Sequence, residues 1–184
     1  MDFPLPANLP VPEDDGAAAH LPGMRLPDLS LPSTSGGVVL LSRLPSRTVL
    51  YVYPMTGRPD VPLPDGWDLI PGARGCTPEA CAFRDHHADL RAAGAEVYGL
   101  SSQTTAYQRE AVSRLHLPFP LLSDERLELA DALRLPTFAV QGRHLYKRLT
   151  LVVSAGIIEH VFYPVFPPDA HAAEVTAWLS RYPV

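Results

Sequence analysis

A chain of 184 residues is long enough to bury one sizeable core without staples, so a single compact domain is expected. Hydrophobic residues make up 46% and charged residues 19% of it, and no apolar run approaches the roughly 18 residues of a membrane-spanning helix. The net charge of −5, with 15 basic residues scattered instead of massed, argues against a nucleic-acid surface.

In chain order, the first segment is Pro-rich and aperiodic, and residues 1–20 are expected to form an arm that is flexible or draped on the surface. Its opening, MDFPLPANLPVPEDDG, has neither a basic n-region nor an apolar h-region, so a soluble cytoplasmic protein is expected. Residues 21–184 then read as one domain. GVVLL (Gly37 to Leu41) and TVLYVY (Thr48 to Tyr53) are short β-branched and aromatic runs between Gly, Ser and Pro, the pattern of strands. An inserted, proline-rich loop follows at about residues 55–70. TPEACAFRDHHADLRAAG predicts a helix with Thr77 as N-cap, Pro78 at its first position and Gly94 as terminator.

Next come a strand over Ala95 to Ser101, a helix over Thr104 to His116, a short strand over Phe119 to Ser123 and a helix over Asp124 to Arg134. Leu145 to Ser154 reads as one strand that turns at Ala155 and Gly156 into a hairpin with IIEHVFYP. DAHAAEVTAWLSRY closes the chain as an amphipathic helix. The order ββαβαβαββα demands parallel pairing in the middle and antiparallel pairing at the end. The expected class is therefore α/β, a thioredoxin-like fold with a central mixed sheet flanked by helices on both faces.

Both cysteines of the chain, Cys76 and Cys81, lie in IPGARGCTPEACAFRDHHADL. Two close thiols in a reducing compartment are seldom a structural staple, which points to redox chemistry. Cys76 stands at the predicted helix start, where unpaired N–H groups and the positive end of the helix favour a thiolate. Lowering a thiol from about 8.5 to about 6 takes roughly 3.4 kcal/mol of differential stabilisation. The helix end supplies only about 0.3–2 kcal/mol of it. A guanidinium must help, and Arg74, Arg84 and Arg148 are the candidates.

Helical geometry separates two Cα atoms at this spacing by about 8–9 Å, beyond the roughly 6.8 Å that a disulfide spans. Cys76 and Cys81 therefore bond only if the first turn unwinds, which suits a switch better than a staple. Two other readings stay open on spacing alone. Cys76 is an ordinary loop thiol and Cys81 a small buried hydrophobe, or both join His86 and His87 around a metal, against which stands the divergence of adjacent helical histidines.

The segment GCTPEACAFRD, with TVLYVYP before it and EVYGLSSQT, LPFPLLSD and KRLTLVVSAGIIEHVF after it, resembles the peroxiredoxins, in particular the bacterioferritin comigratory protein or peroxiredoxin Q group. The likeness runs from about Leu21 to the C-terminus. It implies a thioredoxin-fold thiol peroxidase without metal or organic cofactor, with Cys76 as peroxidatic nucleophile, Cys81 as resolving cysteine and Arg148 as the arginine that stabilises thiolate and transition state. Hydroperoxides are the implied substrates and thioredoxin, or a similar dithiol, the implied reductant. No nucleic acid or membrane partner is expected, and because both cysteines lie on one chain, a monomer is.

One departure from the family pattern is visible. The hydroxyl residue expected three positions before the nucleophile is replaced by Ala73, leaving Thr56 or Thr77 to supply it. Trp67, in the inserted loop, is expected either to roof the pocket or to anchor the loop. Glu79 reads as a helix-start charge. A disulfide oxidoreductase or redox sensor with little turnover is the alternative activity, and a non-enzymatic thioredoxin-like scaffold the third.

Overall fold

The computed structural model describes residues 3–45 and 47–184, so the first two residues of the N-terminal arm lie outside the described residues. Two short strands, β1 (Ser30–Pro32) and β2 (Val38–Leu40), pair antiparallel as a separate ribbon. β3 (Arg47–Val52) leads through the inserted loop to α1 (Cys76–Asp85) and α2 (His87–Ala92). Then follow β4 (Glu96–Ser101), α3 (Thr105–Leu115), β5 (Leu121–Ser123) and α4 (Glu128–Leu133). A hairpin of β6 (Thr137–Val140) and β7 (Arg143–Tyr146) precedes β8 (Leu149–Ser154), β9 (Ile157–Phe162) and α5 (His171–Arg181).

The main sheet has the order β5-β4-β3-β8-β9. β3, β4 and β5 run parallel because helical crossovers join them, whereas β8 pairs antiparallel with both β3 and β9. All six residues of β3 are buried, as its central place requires. The pleat of β3 sorts its side chains between two cores. Val49 and Tyr51 join Phe83 and Leu90 of α1 and α2 and Val175 and Leu179 of α5 on one face. Leu50 and Val52 join Leu129 and Leu133 of α4, with Leu21, Leu26 and Leu41, on the other. The sheet is mixed and covered by helices on both faces, the expected α/β thioredoxin-like arrangement.

Several local expectations are revised. The long predicted helix breaks at His86, whose φ of −95° and ψ of 5° leave the helical region. The predicted strand over Leu145 to Ser154 is interrupted after Tyr146, because Leu145 and Tyr146 pair with β6 and Lys147 donates its N–H to the Pro136 carbonyl (2.9 Å). The QG turn, with Gln141 and Gly142 both at positive φ, marks that hairpin in the sequence. The helix expected from Asp124 starts later, at Glu128. Asp124 instead turns its carboxylate into a buried acceptor for the N–H groups of Glu128 and Leu129 (both 2.9 Å) and for the Tyr146 hydroxyl (2.5 Å).

Candidate active site

The sheet register positions the site. Leu149 pairs with Val52, so Arg148 lies just beyond the paired residues, level with the chain leaving β3 toward Met55. The interruption between β7 and β8 thus delivers a guanidinium to the end of the sheet where α1 begins.

Helix α1 opens differently from its predicted form. Its N-cap is Gly75 at φ 110°, and no side chain caps it, so Thr77 falls inside the first turn. Only glycine adopts that φ readily, and a Cβ at Gly75 would stand 2.4 Å from Cγ of Pro168. Gly72, at φ 78°, bends the preceding loop. Together the two glycines let the carbonyls of Gly72, Ala73 and Arg74 turn toward one point. Arg148 occupies it. Its Nε donates to the Gly72 carbonyl (3.3 Å), and its Nη2 donates to the carbonyls of Ala73 (3.1 Å) and Arg74 (3.4 Å).

The same Nη2 lies 3.1 Å from Sγ of Cys76, and Nη1 donates to the Glu79 carboxylate. Cys76 is 4% exposed, and in its thiol form Sγ donates weakly to the Ala73 carbonyl at 3.8 Å. The backbone N–H of Met55 also pulls the Cys76 ionisation down. The guanidinium supplies a donor where the hydroxyl is absent. Thr56 is turned away, with N and Oγ1 both donating to Oε1 of Gln103 (3.0 and 3.2 Å), while Thr77 lines the cavity above.

Of the three arginine candidates, Arg148 alone meets the sulfur. Arg74 pairs with Asp68 (2.8 Å), and Arg84 bonds Asp85 (2.8 Å) and the Leu115 carbonyl (2.9 Å). Cys81 lies on α1 in the same core cluster, and both thiols are free and buried. His86 turns Nδ1 to the Ala82 carbonyl (3.0 Å), and His87 packs on Phe119 with ring centroids 5.8 Å apart, which occupies both in structure.

Glu79 is the residue that its sequence reading as a helix-start charge missed. It is 0% exposed, and its Oε1 has no partner although the other oxygen is held by Arg148. A signal existed: Glu79 follows Cys76 by three residues and precedes Phe83 by four, so all three share the buried stripe of α1.

The electrostatics follow from one cation serving two acids. Burial pushes the Cys76 thiol up, Arg148 pulls it down, Glu79 pushes it up again, and the Met55 N–H pulls it down. The net direction is upward, opposite to the expected lowering, because the sulfur is desolvated and shares its guanidinium with a carboxylate. Burial likewise raises Glu79, against Arg148 and the nearby His171. Burial alone would lower Arg148, but the sulfur and the carboxylate outweigh it and keep the guanidinium charged. Cys76 and Glu79 therefore titrate as a pair, in which an anion on either group opposes ionisation of the other.

Above the sulfur opens a cavity of about 430 Å³ lined by Phe3, Met55, Leu63, Trp67 and Thr77 among others. Trp67 does both things expected of it: it lines this cavity and anchors the inserted loop on Met55 and Ala73. Phe119 and Leu121 lie in the core and take no part in lining it.

The Redoxin family pattern matches residues 21–178. The chain is 29% identical to the chloroplastic peroxiredoxin Q of Oryza sativa subsp. japonica over 186 residues, covering 96% of this chain and 77% of that protein. It is 30% identical to the chloroplastic peroxiredoxin Q of Sedum lineare, covering 86% of this chain and 77% of that one. Among solved structures, peroxidoxin BcpB from Mycobacterium tuberculosis superposes with a TM-score of 0.72 at 28% identity, covering 90% of this chain and all of that one (100%).

Proposed function

The chain belongs to the Redoxin family, in its peroxiredoxin Q and bacterioferritin comigratory group, and from that membership we propose that it is a thiol peroxidase whose peroxidatic nucleophile is Cys76. The observation that carries the assignment is the 3.1 Å contact between Arg148 Nη2 and the Cys76 sulfur at the foot of an open, partly apolar cavity.

In the proposed reaction the Cys76 thiolate attacks the terminal oxygen of a hydroperoxide. The S–O bond forms as the O–O bond breaks, and the sulfur is oxidised to sulfenic acid. The proton lost by the thiol ends on the leaving oxygen, giving water from hydrogen peroxide or an alcohol from an organic hydroperoxide. Arg148 faces the sulfur in a fixed position, so charge spreading over the reacting atoms meets a donor that need not reorganise. Glu79 holds Arg148 in place and limits how much of its charge the sulfur receives.

Cys81 is the proposed resolving residue. α1 separates it from Cys76 by about 8–9 Å at Cα, so the first turn must unwind before its sulfur reaches the sulfenic acid and expels water to form the disulfide. A thiol reductant then restores both thiols by exchange. We assign that role to thioredoxin, acting on a monomer in the cytoplasm, because the pair is complete on one chain.

Intact mass spectrometry after one equivalent of hydrogen peroxide tests this reading. The expected product has lost two hydrogens and yields a peptide crosslinking Cys76 to Cys81. Unmodified protein with peroxide left unconsumed would remove the proposal. In Cys81→Ser the sulfenic acid should form and persist, trapped by dimedone, while thioredoxin-coupled turnover falls by at least about tenfold. Undiminished coupling would place the resolving thiol elsewhere.

A further inference from the structure

The N-terminal arm is more than an appendage to the domain. Phe3 packs against the core cluster that contains Cys76, and Phe3 and Pro4 both line the cavity above the sulfur. Leu5 lies against Gly75, where an added Cβ would come within 3.0 Å of its Cδ2, and Pro12 lies against Gly72, at 3.5 Å from a Cβ built there. The arm thus runs along the two glycines that shape the active-site loop.

Its far end is fastened by Asp15. Oδ1 accepts from the Tyr163 hydroxyl (2.8 Å) and from the N–H of Ala17 (3.0 Å), and Oδ2 pairs with Nζ of Lys147 (3.0 Å). Lys147 immediately precedes Arg148 in the chain. Those hydrogen bonds, led by the one from Lys147, hold the Asp15 carboxyl down at about 2, so the clasp stays charged throughout the neutral range. A second cavity of about 410 Å³ runs beneath the clasp between Pro12, Asp15, Gly72, Lys147 and Tyr163.

We propose that residues 3–15 form a specificity strap, in which Phe3 and Pro4 set the width of the hydroperoxide entrance and the Asp15 clasp holds them there. The role rests on the peroxidase reading. It makes the enzyme selective for small hydroperoxides, since Phe3 closes one side of the entrance while Trp67 and Leu63 of the inserted loop line the cavity with it. Arg148 is the side chain that hydrogen-bonds the sulfur, whereas Asp15 bonds Lys147 and Tyr163 and Phe3 packs at the cavity wall, so the strap acts on access.

The test compares unaltered protein with Phe3→Ala and with Asp15→Ala, using hydrogen peroxide and cumene hydroperoxide. The ratio of kcat/KM for the bulky over the small substrate should rise roughly tenfold in both variants. A second readout needs no turnover: alkylation of Cys76 in a Cys81→Ser background by iodoacetamide and by a bulky maleimide. The bulky reagent should gain relative to the small one in both strap variants. If neither ratio moves, or if the bulky partner loses ground, the strap does not set access. If the alkylation ratio shifts while peroxide is not consumed even by unaltered protein, the strap stands and the peroxidase reading falls. Thermal unfolding of each variant identifies one that has lost its fold, and Asp15→Asn, which keeps the shape but not the charge, then takes the place of Asp15→Ala.

Discussion

Replacing Arg148 with methionine is expected to slow the reaction of Cys76 with hydroperoxide by about 10²–10³-fold, the usual loss when a preorganised charge-stabilising donor is removed. Methionine keeps much of the volume but none of the five N–H donors, so the sulfur loses its 3.1 Å partner and the carbonyls of Gly72 and Ala73 lose theirs. Stability falls as well, because Glu79 stays 0% exposed without the guanidinium that held its carboxylate. Breaking such a buried pair from one side costs about 3–5 kcal/mol. Part of that penalty is escaped by protonation. In the variant, burial holds the Glu79 carboxyl above its unfolded value, so the folded chain binds more protons than the unfolded one. The deficit is therefore greatest at high pH and shrinks as pH falls toward the ordinary carboxylate range. Adding Glu79→Gln to the methionine variant should restore most of the stability but only the small part of the rate that the carboxylate had suppressed. Chemical denaturation across pH, with stopped-flow kinetics on both variants, separates the two roles; full recovery of rate in the double variant would show that the guanidinium acts only as a structural partner.

Cys76→Ser should abolish turnover, with a loss of more than about 10⁴-fold, since a hydroxyl in that place is neither ionised nor oxidised by peroxide. The fold should survive. Serine fits the same 4% exposed position, its hydroxyl can donate to the Ala73 carbonyl and accept from Arg148, and Gly75 still opens the helix. Cys81 should remain reduced under the same peroxide challenge, because burial raises its thiol further than the Arg84 guanidinium pulls it down, and Arg84 is already engaged with Asp85 and the Leu115 carbonyl. Unfolding curves matching the unaltered protein, together with loss of peroxide consumption, are the expected pair of results. Consumption at a comparable rate would assign the chemistry to Cys81.

The parts of this architecture that rest on period were legible in the sequence. TVLYVY reads as a buried strand, and the pleat of β3 does divide Val49 and Tyr51 from Leu50 and Val52 between two cores. Arg148 was one of three candidate guanidinium groups and was singled out only through resemblance, since nothing local says that the strand pattern Leu145 to Ser154 breaks just before that residue. The break comes from pairing with β6, a contact made across the chain and signalled locally only by Gln141-Gly142. The helix start was misplaced by one rule overriding another. Thr77 followed by Pro78 is a sound capping signal, but Gly75 at φ 110° against Pro168 lets the helix begin earlier, and the close contact with Pro168 is made far along the chain. The direction of the Cys76 shift was misread for a related reason. Helix position and arginine count can be taken from sequence, whereas burial of the sulfur and competition from Glu79 depend on packing.

Everything in the proposed chemistry turns on Cys76 and Glu79 drawing on a single buried guanidinium. The most direct measurement is the second-order rate of Cys76 with hydrogen peroxide as a function of pH, in unaltered protein and in Glu79→Gln. Glutamine keeps an acceptor for Arg148 and removes the carboxylate that opposes the thiolate, so the Cys76 ionisation must move down. The rate of unaltered protein should climb with pH toward the alkaline side of the ordinary thiol range, and the climb should shift to lower pH in the variant. A profile that stays in place, or moves to higher pH, would contradict the sharing of Arg148 between the two acids.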